Sequence, residues 1–284
     1  MELWLGLSMV DAIDLVAVAV AAEEAGIGGV AMSDHLVYPG DLASAYPYSD
    51  DGTVVWEATT PWPDSWVAIG AMAAATTRLR LATGVFVAPL RHPVLLAKAV
   101  STAAAIAGDR VVCGLGAGWM REEFEIVGET FADRGGRLDE LIEVMRLLWS
   151  GEMVSHDGPH YRFGPVQMRP APRAPVPIWT GGNTRPAKRR AARQDGWICS
   201  FHDVDQAAAD LSEVRRLRRE ALGDGEPFGA AVVGRIRDPD DLGRLRDEGY
   251  DVVIVPLAAL TRGRTASDWQ RAVDAAASLA ASLG

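Results

Sequence analysis

Eight alternations of a short apolar run with a longer helical pattern predict a single (β/α)8 barrel. Three observations carry that expectation. The alternation is regular from one end of the chain to the other, as strand–helix units building a parallel sheet require. The short runs are apolar throughout rather than at every second residue, which suits parallel strands covered on both faces. No shift of composition marks a domain boundary, so residues 1–284 are expected to form one domain.

The elements follow in order. Residues 2–7 are the first predicted strand, and Asp11 opens a helix to Ala25 that Gly26 ends as a C′ glycine would. The second strand, 30–33, stops abruptly at Ser33-Asp34-His35, and a long loop carrying Pro39, Pro47, Gly52, Pro61 and Pro63 fills 36–63. Helix 64–75, strand 80–87 and an Ala-rich helix at 93–107 come next. The fourth strand, 110–115, leads through a glycine turn into helical patterns that run to Trp149. Residues 150–175 carry five prolines and a small hairpin around 161–163. Strands at 176–180, 196–200, 228–233 and 251–255 then alternate with helices at 184–194, 204–221, 238–247 and from there to about 283. The long segments after strand 2 and after helix 4 are therefore insertions in one barrel.

Composition removes several functions. The net charge of −10, from 28 Lys and Arg against 38 Asp and Glu, argues against a nucleic-acid backbone or an anionic membrane as partner. Cys113 and Cys199 each sit in an apolar run with no Cys-x-x-Cys spacing, the pattern of a reducing compartment. The apolar stretch 15–22 lacks a preceding basic residue and follows Asp11 and Asp14. It is read as neither a signal peptide nor a membrane span, and the expected location is the cytoplasm.

In a barrel the carboxyl ends of all eight strands meet at one mouth. An Asp-His pair alone is also what an ordinary surface loop contains, so the other strand ends decide. Strand 3 brings Thr83, Gly84 and Val85, and strand 4 brings Gly114, Gly116, Gly118 and Trp119. Strand 5 brings Gly181, Gly182, Asn183 and Thr184, and strand 6 brings Ser200, Phe201 and His202. Glycine at three ends lets backbone approach a flat or phosphorylated ligand. Asn183 or Thr184 can cap the next helix, whose free N–H groups, with Arg185, Lys188 and Arg189 nearby, form a phosphate site. The glycines at 114, 116 and 118 miss the spacing of a dinucleotide fingerprint, and no acid follows at the ribose-reading distance. None of the five histidines has metal-ligand spacing, and no metal is expected. His92 precedes Pro93 as a cap, while His156 and His160 are expected in solvent.

Assembled in order, these segments resemble the luciferase-like oxidoreductases, and within them the branch that uses the deazaflavin coenzyme F420. The matching pieces are Ala-Glu-Glu-Ala-Gly (22–26), Ser-Asp-His-Leu (33–36), Pro-Trp-Pro-Asp (61–64) and Ala-Thr-Gly-Val (82–85). Arg-His-Pro-Val-Leu-Leu-Ala-Lys (91–98), Gly-Leu-Gly-Ala-Gly-Trp-Met-Arg-Glu-Glu-Phe (114–124) and Arg-Gly-Gly-Arg-Leu-Asp-Glu (134–140) follow. Pro-Ile-Trp-Thr-Gly-Gly-Asn (177–183) and Asp-Gly-Trp (195–197) complete the set.

The resemblance implies a TIM-type barrel and a catalytic His35 acting as acid/base, with Asp34 orienting it. It implies a cis peptide at Gly84–Val85 under the cofactor ring. Cofactor contacts would come from Ser33, Thr83, Gly84, Val85, Gly116, Gly118, Trp119, Gly181, Gly182, Asn183 and Thr184. It also implies a small-molecule substrate, and a homodimer through Ala-rich helices. Met120-Arg121 stands where several relatives carry Asn, and the added cation fits an anionic cofactor tail. Two alternatives remain open at this point. One is an FMN-dependent monooxygenase fed by a separate reductase and O2; the other is a flavin-binding barrel without turnover. The 36–63 loop, with Tyr46, Tyr48, Trp56 and Trp62, is expected to be a lid.

Overall fold

The computed structural model describes residues 1–49, 51–200, 204–223, 225, 227–234 and 239–281. The chain begins β1 (Glu2–Gly6), α1 (Leu15–Glu24), β2 (Gly29–Met32), α2 (Ser65–Ala75), β3 (Arg80–Thr83), β4 (Phe86–Val87) and α3 (Pro93–Ala107). It continues β5 (Val111–Gly116), α4 (Arg121–Ile126), α5 (Arg134–Trp149) and a hairpin of β6 (Met153–Asp157) and β7 (Arg162–Gln167). The last part is β8 (Ile178–Gly181), α6 (Arg185–Ala191), β9 (Gly196–Ser200), α7 (Val204–Leu222), β10 (Gly229–Val233), α8 (Pro239–Asp247), β11 (Val252–Pro256) and α9 (Ala266–Ala281).

Eight of these strands close a parallel barrel in the order β3-β2-β1-β11-β10-β9-β8-β5, and β3 pairs with β5 to complete the ring. The (β/α)8 expectation holds. Local chemistry places the helix starts. Asp64 accepts the Trp66 and Val67 amides at 2.9 and 3.0 Å to open α2. His92 Nδ1 accepts the Val94 amide at 3.3 Å ahead of Pro93, the capping role expected of it.

Four boundaries differ from the sequence expectation. The single strand predicted over 80–87 breaks after Thr83, where the Gly84–Val85 peptide is cis, and resumes as β4 against β5. The first turn predicted from Asp11 is not helical; α1 starts after Asp14. The helical patterns up to Trp149 are two helices, α4 and α5, with a boundary the sequence reading did not draw, where Gly128 takes a φ of +76° and turns the chain. The hairpin is longer than expected, spanning Met153 to Gln167.

The core has two layers. Strand residues such as Leu5, Met32, Leu81, Cys113 and Val253 face the helices. Inside the barrel Trp4 and Trp179 stack with centroids 6.2 Å apart. Three glycines make room for them: a Cβ on Gly29 would stand 2.8 Å from Trp4, and one on Gly196 or Gly229 would stand 2.5 or 2.2 Å from Trp179. Large and small residues thus alternate to fill the interior, as barrels of this size demand. Both cysteines are free and buried. Among the described residues no helix is long and apolar enough to cross a membrane.

Candidate active site

The end of β2 carries Ser33, Asp34 and His35, and each side chain goes its own way. Ser33 is held from β1's side: its amide donates to Ser8 Oγ at 3.0 Å, and the two hydroxyls pair. Asp34 turns into the protein. It accepts the Val87 amide at 3.0 Å and takes both ends of the Arg91 guanidinium, Nη2 at 2.8 Å from Oδ1. Arg91 in turn lies 4.1 Å from the Phe86 ring centroid, so Asp34 and Arg91 clamp β4 just beyond the cis peptide. Burial pushes the Asp34 carboxyl up, against the pull of Arg91 and the Val87 amide.

The expectation that Asp34 orients His35 is therefore corrected. The partner of the imidazole is Glu123 on α4, whose Oε2 stands 3.1 Å from Nδ1 while its Oε1 accepts the Leu36 amide at 2.6 Å. Glu123 is 2 % exposed. A carboxylate can only accept, so it fixes the proton on Nδ1 and leaves Nε2 free to take or give one. The sequence showed Glu123 only as part of the Arg-Glu-Glu-Phe segment after a glycine turn, with no clue to its partner 88 residues back.

The 36–63 loop folds onto this histidine. Trp56 and Trp62 each lie 4.8 Å from the His35 ring centroid, and Trp119 lies 5.8 Å away. Tyr46 packs edge-on against Trp56 and Trp119, both at 5.3 Å. Burial and the neighbouring Tyr48 push the Tyr46 phenol up to about 12, so it stays protonated. The Trp62 indole N–H is buried without an acceptor.

α4 also grips the loop further along. Glu122 Oε1 accepts the amides of Ala43 and Ser44 at 2.8 and 2.9 Å, and Ser44 Oγ accepts the Arg121 amide at 3.0 Å. Burial raises the Glu122 carboxyl, but these hydrogen bonds outweigh it and hold Glu122 below the usual carboxylate range. The contact is thus present above about pH 4.3 and is lost as pH falls through the lower folded value. In Glu122→Ala, amide hydrogen exchange at Ala43 and Ser44 is expected to quicken by about tenfold or more; unchanged protection there would remove Glu122 from this role.

Across the mouth, Val85 leans over the neighbouring strands. A Cβ on Gly116 or on Gly181 would stand 2.6 Å from its methyl groups, and one on Gly114 would stand 1.8 Å from the Thr83 carbonyl oxygen. Thr83 donates to the Gly114 carbonyl at 2.6 Å. Gly84, Val85, Gly116 and Gly181 together make a floor of backbone and one aliphatic side chain. Gly118 has a φ of +85° and offers its carbonyl to Arg134 Nε at 3.0 Å. Arg134 and Arg121 both lie over Phe131, at 3.8 and 4.6 Å. Burial, then the charges of Arg121 and Arg190, lowers the Arg134 pKa.

At the end of β8, Gly182 has a φ of +112° and Thr184 caps α6 by accepting the Ala187 amide at 3.4 Å. Asn183 spends its amide on both backbone groups of Ser200. Lys188 is not available to a phosphate: it is buried and bound to Asp210 and Glu213, both at 2.6 Å. Arg185 and Arg189 stay exposed. Phe201 and His202 lie outside the described residues. His156 is half-buried rather than in solvent, with Nε2 2.9 Å from Glu140, while His160 is exposed.

A sequence profile of the luciferase-like monooxygenases matches residues 6–237. The chain belongs to that family. With it the chain joins the oxidoreductases, and the family barrel agrees with the closed sheet seen here. An uncharacterized protein of Mycobacterium tuberculosis is 38 % identical to this luciferase-like chain over 249 residues, covering 87 % of this chain and 86 % of that one. The F420-dependent glucose-6-phosphate dehydrogenase of Beutenbergia cavernae is 35 % identical over 192 residues, 66 % of this chain and 52 % of its own length. Among solved structures, an F420-dependent secondary alcohol dehydrogenase in complex with an F420–acetone adduct superposes with a TM-score of 0.79 at 16 % identity. That superposition covers 100 % of this chain and 99 % of the other.

Proposed function

We propose that this luciferase-like protein is an F420-dependent oxidoreductase acting on a small organic substrate, with His35 as acid/base. The His35–Glu123 pair, ringed by tryptophans at the strand ends that also carry Val85, Gly116 and Gly181, carries the proposal. The residues present fit a flat cofactor. Val85 between two glycines is a ledge without side chains to displace, and the unmet Trp62 N–H is a donor for a ligand oxygen. Deazaflavin, when bound, supplies the hydride acceptor or donor.

The chain's own residues do the rest. Glu123 holds the proton on His35 Nδ1, and Nε2 exchanges a proton with the substrate as hydride moves. Trp56, Trp62 and Trp119 exclude water around the imidazole, which favours an apolar or ring-containing substrate. Arg121 and Arg134 beside Gly118 suit an anionic cofactor tail, and the Gly182–Thr184 turn suits a phosphate. The relatives that use F420 support the same cofactor. Parallel fluorescence titrations with F420 and FMN test this: F420 is expected to bind in the micromolar range or tighter, at least about tenfold better than FMN. A preference for FMN would move the protein to oxygen-dependent chemistry.

The expected homodimer has a candidate surface. Val67 on α2 and Leu95 and Ile106 on α3 are 74 %, 69 % and 51 % exposed on two helices packed together. Joined across the two helices, these side chains would form the kind of apolar patch that suits a subunit interface. Leu95→Glu is expected to shift the protein from dimer to monomer in sedimentation equilibrium; a wild-type monomer would exclude the pairing.

A further inference from the structure

Alternation along the strands gives the barrel mouth an inner face. Trp4, Ala31, Trp179, Ile198, Ala231 and Ile254 pack together inside the barrel, so the residue two places further along each strand also points inward. Those residues are Gly6, Ser33, Gly181, Ser200, Val233 and Pro256, and all of them are partly exposed. Their strands have neighbours on both sides in the closed ring, so the exposure opens on the mouth, as a hollow above the inner layer. Ser8 follows Gly6 by two places and is partly exposed as well, while Leu7 packs with the residues that face the helices. Ser8 and Ser33 thus stand together on the rim of the hollow, and His35 continues the inward series from Ser33. Their placement is enforced. The Leu7 amide still donates to the Ala31 carbonyl at 2.9 Å. Met9, which turns the chain off β1, has a φ of +69°, the one positive value at a non-glycine residue among the described residues. A side chain as large as methionine takes that conformation only where its surroundings impose it.

The pair has a hydrogen to spare. Ser8 Oγ accepts the Ser33 amide at 3.0 Å, and the two hydroxyls bond to each other. One bond between two hydroxyls consumes one hydrogen, whichever side donates. Among the described residues the second hydrogen meets no acceptor. Its chemistry selects a partner. A hydrocarbon edge would leave it unmet. An anion would call for a cation, and the guanidinium bonded to this stretch, that of Arg91, is held by Asp34 on the opposite face of the strand. A neutral carbonyl oxygen accepts one such donor and needs no counter-charge.

We infer that Ser8 is a further ligand-binding residue of the proposed site, and that with Ser33 it gives one hydrogen bond to a carbonyl oxygen, of the cofactor ring or of the substrate. The inference rests on the oxidoreductase reading above. Two measurements on the full chain separate the sources: fluorescence titration with F420, and saturation-transfer difference NMR of cyclohexanone with and without F420. Ser8→Ala and Ser33→Ala each keep one hydroxyl hydrogen, so each is expected to bind within about twofold of the wild type. The double variant keeps none and is expected to bind about tenfold more weakly. Ser8→Thr combined with Ser33→Ala returns one hydroxyl to β1 and is expected to recover the binding. A merely structural loss would add up over the two single variants and would not be recovered.

Weaker F420 binding in the double variant places the carbonyl on the cofactor; weaker cyclohexanone binding alone places it on the substrate. Unchanged F420 binding there, with cyclohexanone unchanged or not bound at all, means that water alone takes the spare hydrogen, and overturns the inference. So does a loss that equals the sum of the single variants. A wild-type chain that binds no F420 would instead sink the cofactor reading, and the cyclohexanone measurement on the cofactor-free chain would still decide the serine pair.

Discussion

In His35→Ala, turnover with F420 is expected to fall by about 10²–10⁴ while cofactor affinity stays within about twofold. The reason is the division of labour at the mouth. The floor around Val85, Gly116 and Gly181 and the cations beside Gly118 make no contact through the imidazole, whereas the proposed proton transfer runs through the imidazole that Trp56, Trp62 and Trp119 surround. Glu123→Gln should lie between the variant and the wild type, since it keeps a hydrogen bond to Nδ1 and loses the charge that stabilises a protonated ring. Stopped-flow absorbance of the deazaflavin reads both. An alanine variant with near-normal turnover would dismiss His35 as acid/base. Tight F420 binding with no turnover in the wild type, against any of a broad set of alcohols, aldehydes and unsaturated rings, would favour a carrier.

The largest stability effect is expected at Arg91, not at the histidine. Arg91→Ala leaves the Asp34 carboxylate buried with one amide partner, and stranding a buried charge costs about 3–5 kcal/mol. For a chain of this size that corresponds to a fall in Tm on the order of 10 °C. The double variant Asp34→Asn/Arg91→Met should recover much of the loss, because an amide can still accept from Val87 and no charge is left unpaired. Calorimetry of the two variants decides. If Arg91→Ala melts within about 2 °C of the wild type, the clamp on β4 contributes little.

The strand–helix alternation made the barrel legible because each strand is a short apolar run set between longer segments of helix-forming residues. The glycines at the strand ends were legible for a similar reason: they mark where backbone needs space, and Val85 and Thr83 occupy that space. Chain neighbours misled. Asp34 and His35 sit side by side in sequence, yet consecutive residues leaving a strand point apart, and their partners, Arg91 and Glu123, come from 57 and 88 residues away. Lys188 misled similarly. Its position after the Gly-Gly-Asn-Thr turn suggested a phosphate ligand, but two carboxylates of α7 had first claim. Arg134 and Arg137 were visible only as members of a matching segment, since nothing local says which arginine of a helix is drawn inward.

Two neighbouring glutamates on a helix of six residues hold, one His35, the other the middle of the aromatic loop. In the proposed reaction the loop would set substrate range and the histidine would move the proton. Here they share an anchor. A laboratory graft of a relative's loop that neglects the amides of Ala43 and Ser44 would therefore tilt α4 and, through Glu123, re-aim the imidazole. Specificity and rate in this enzyme should change together under loop exchange, and can be separated only by altering the tryptophans while leaving the helix undisturbed.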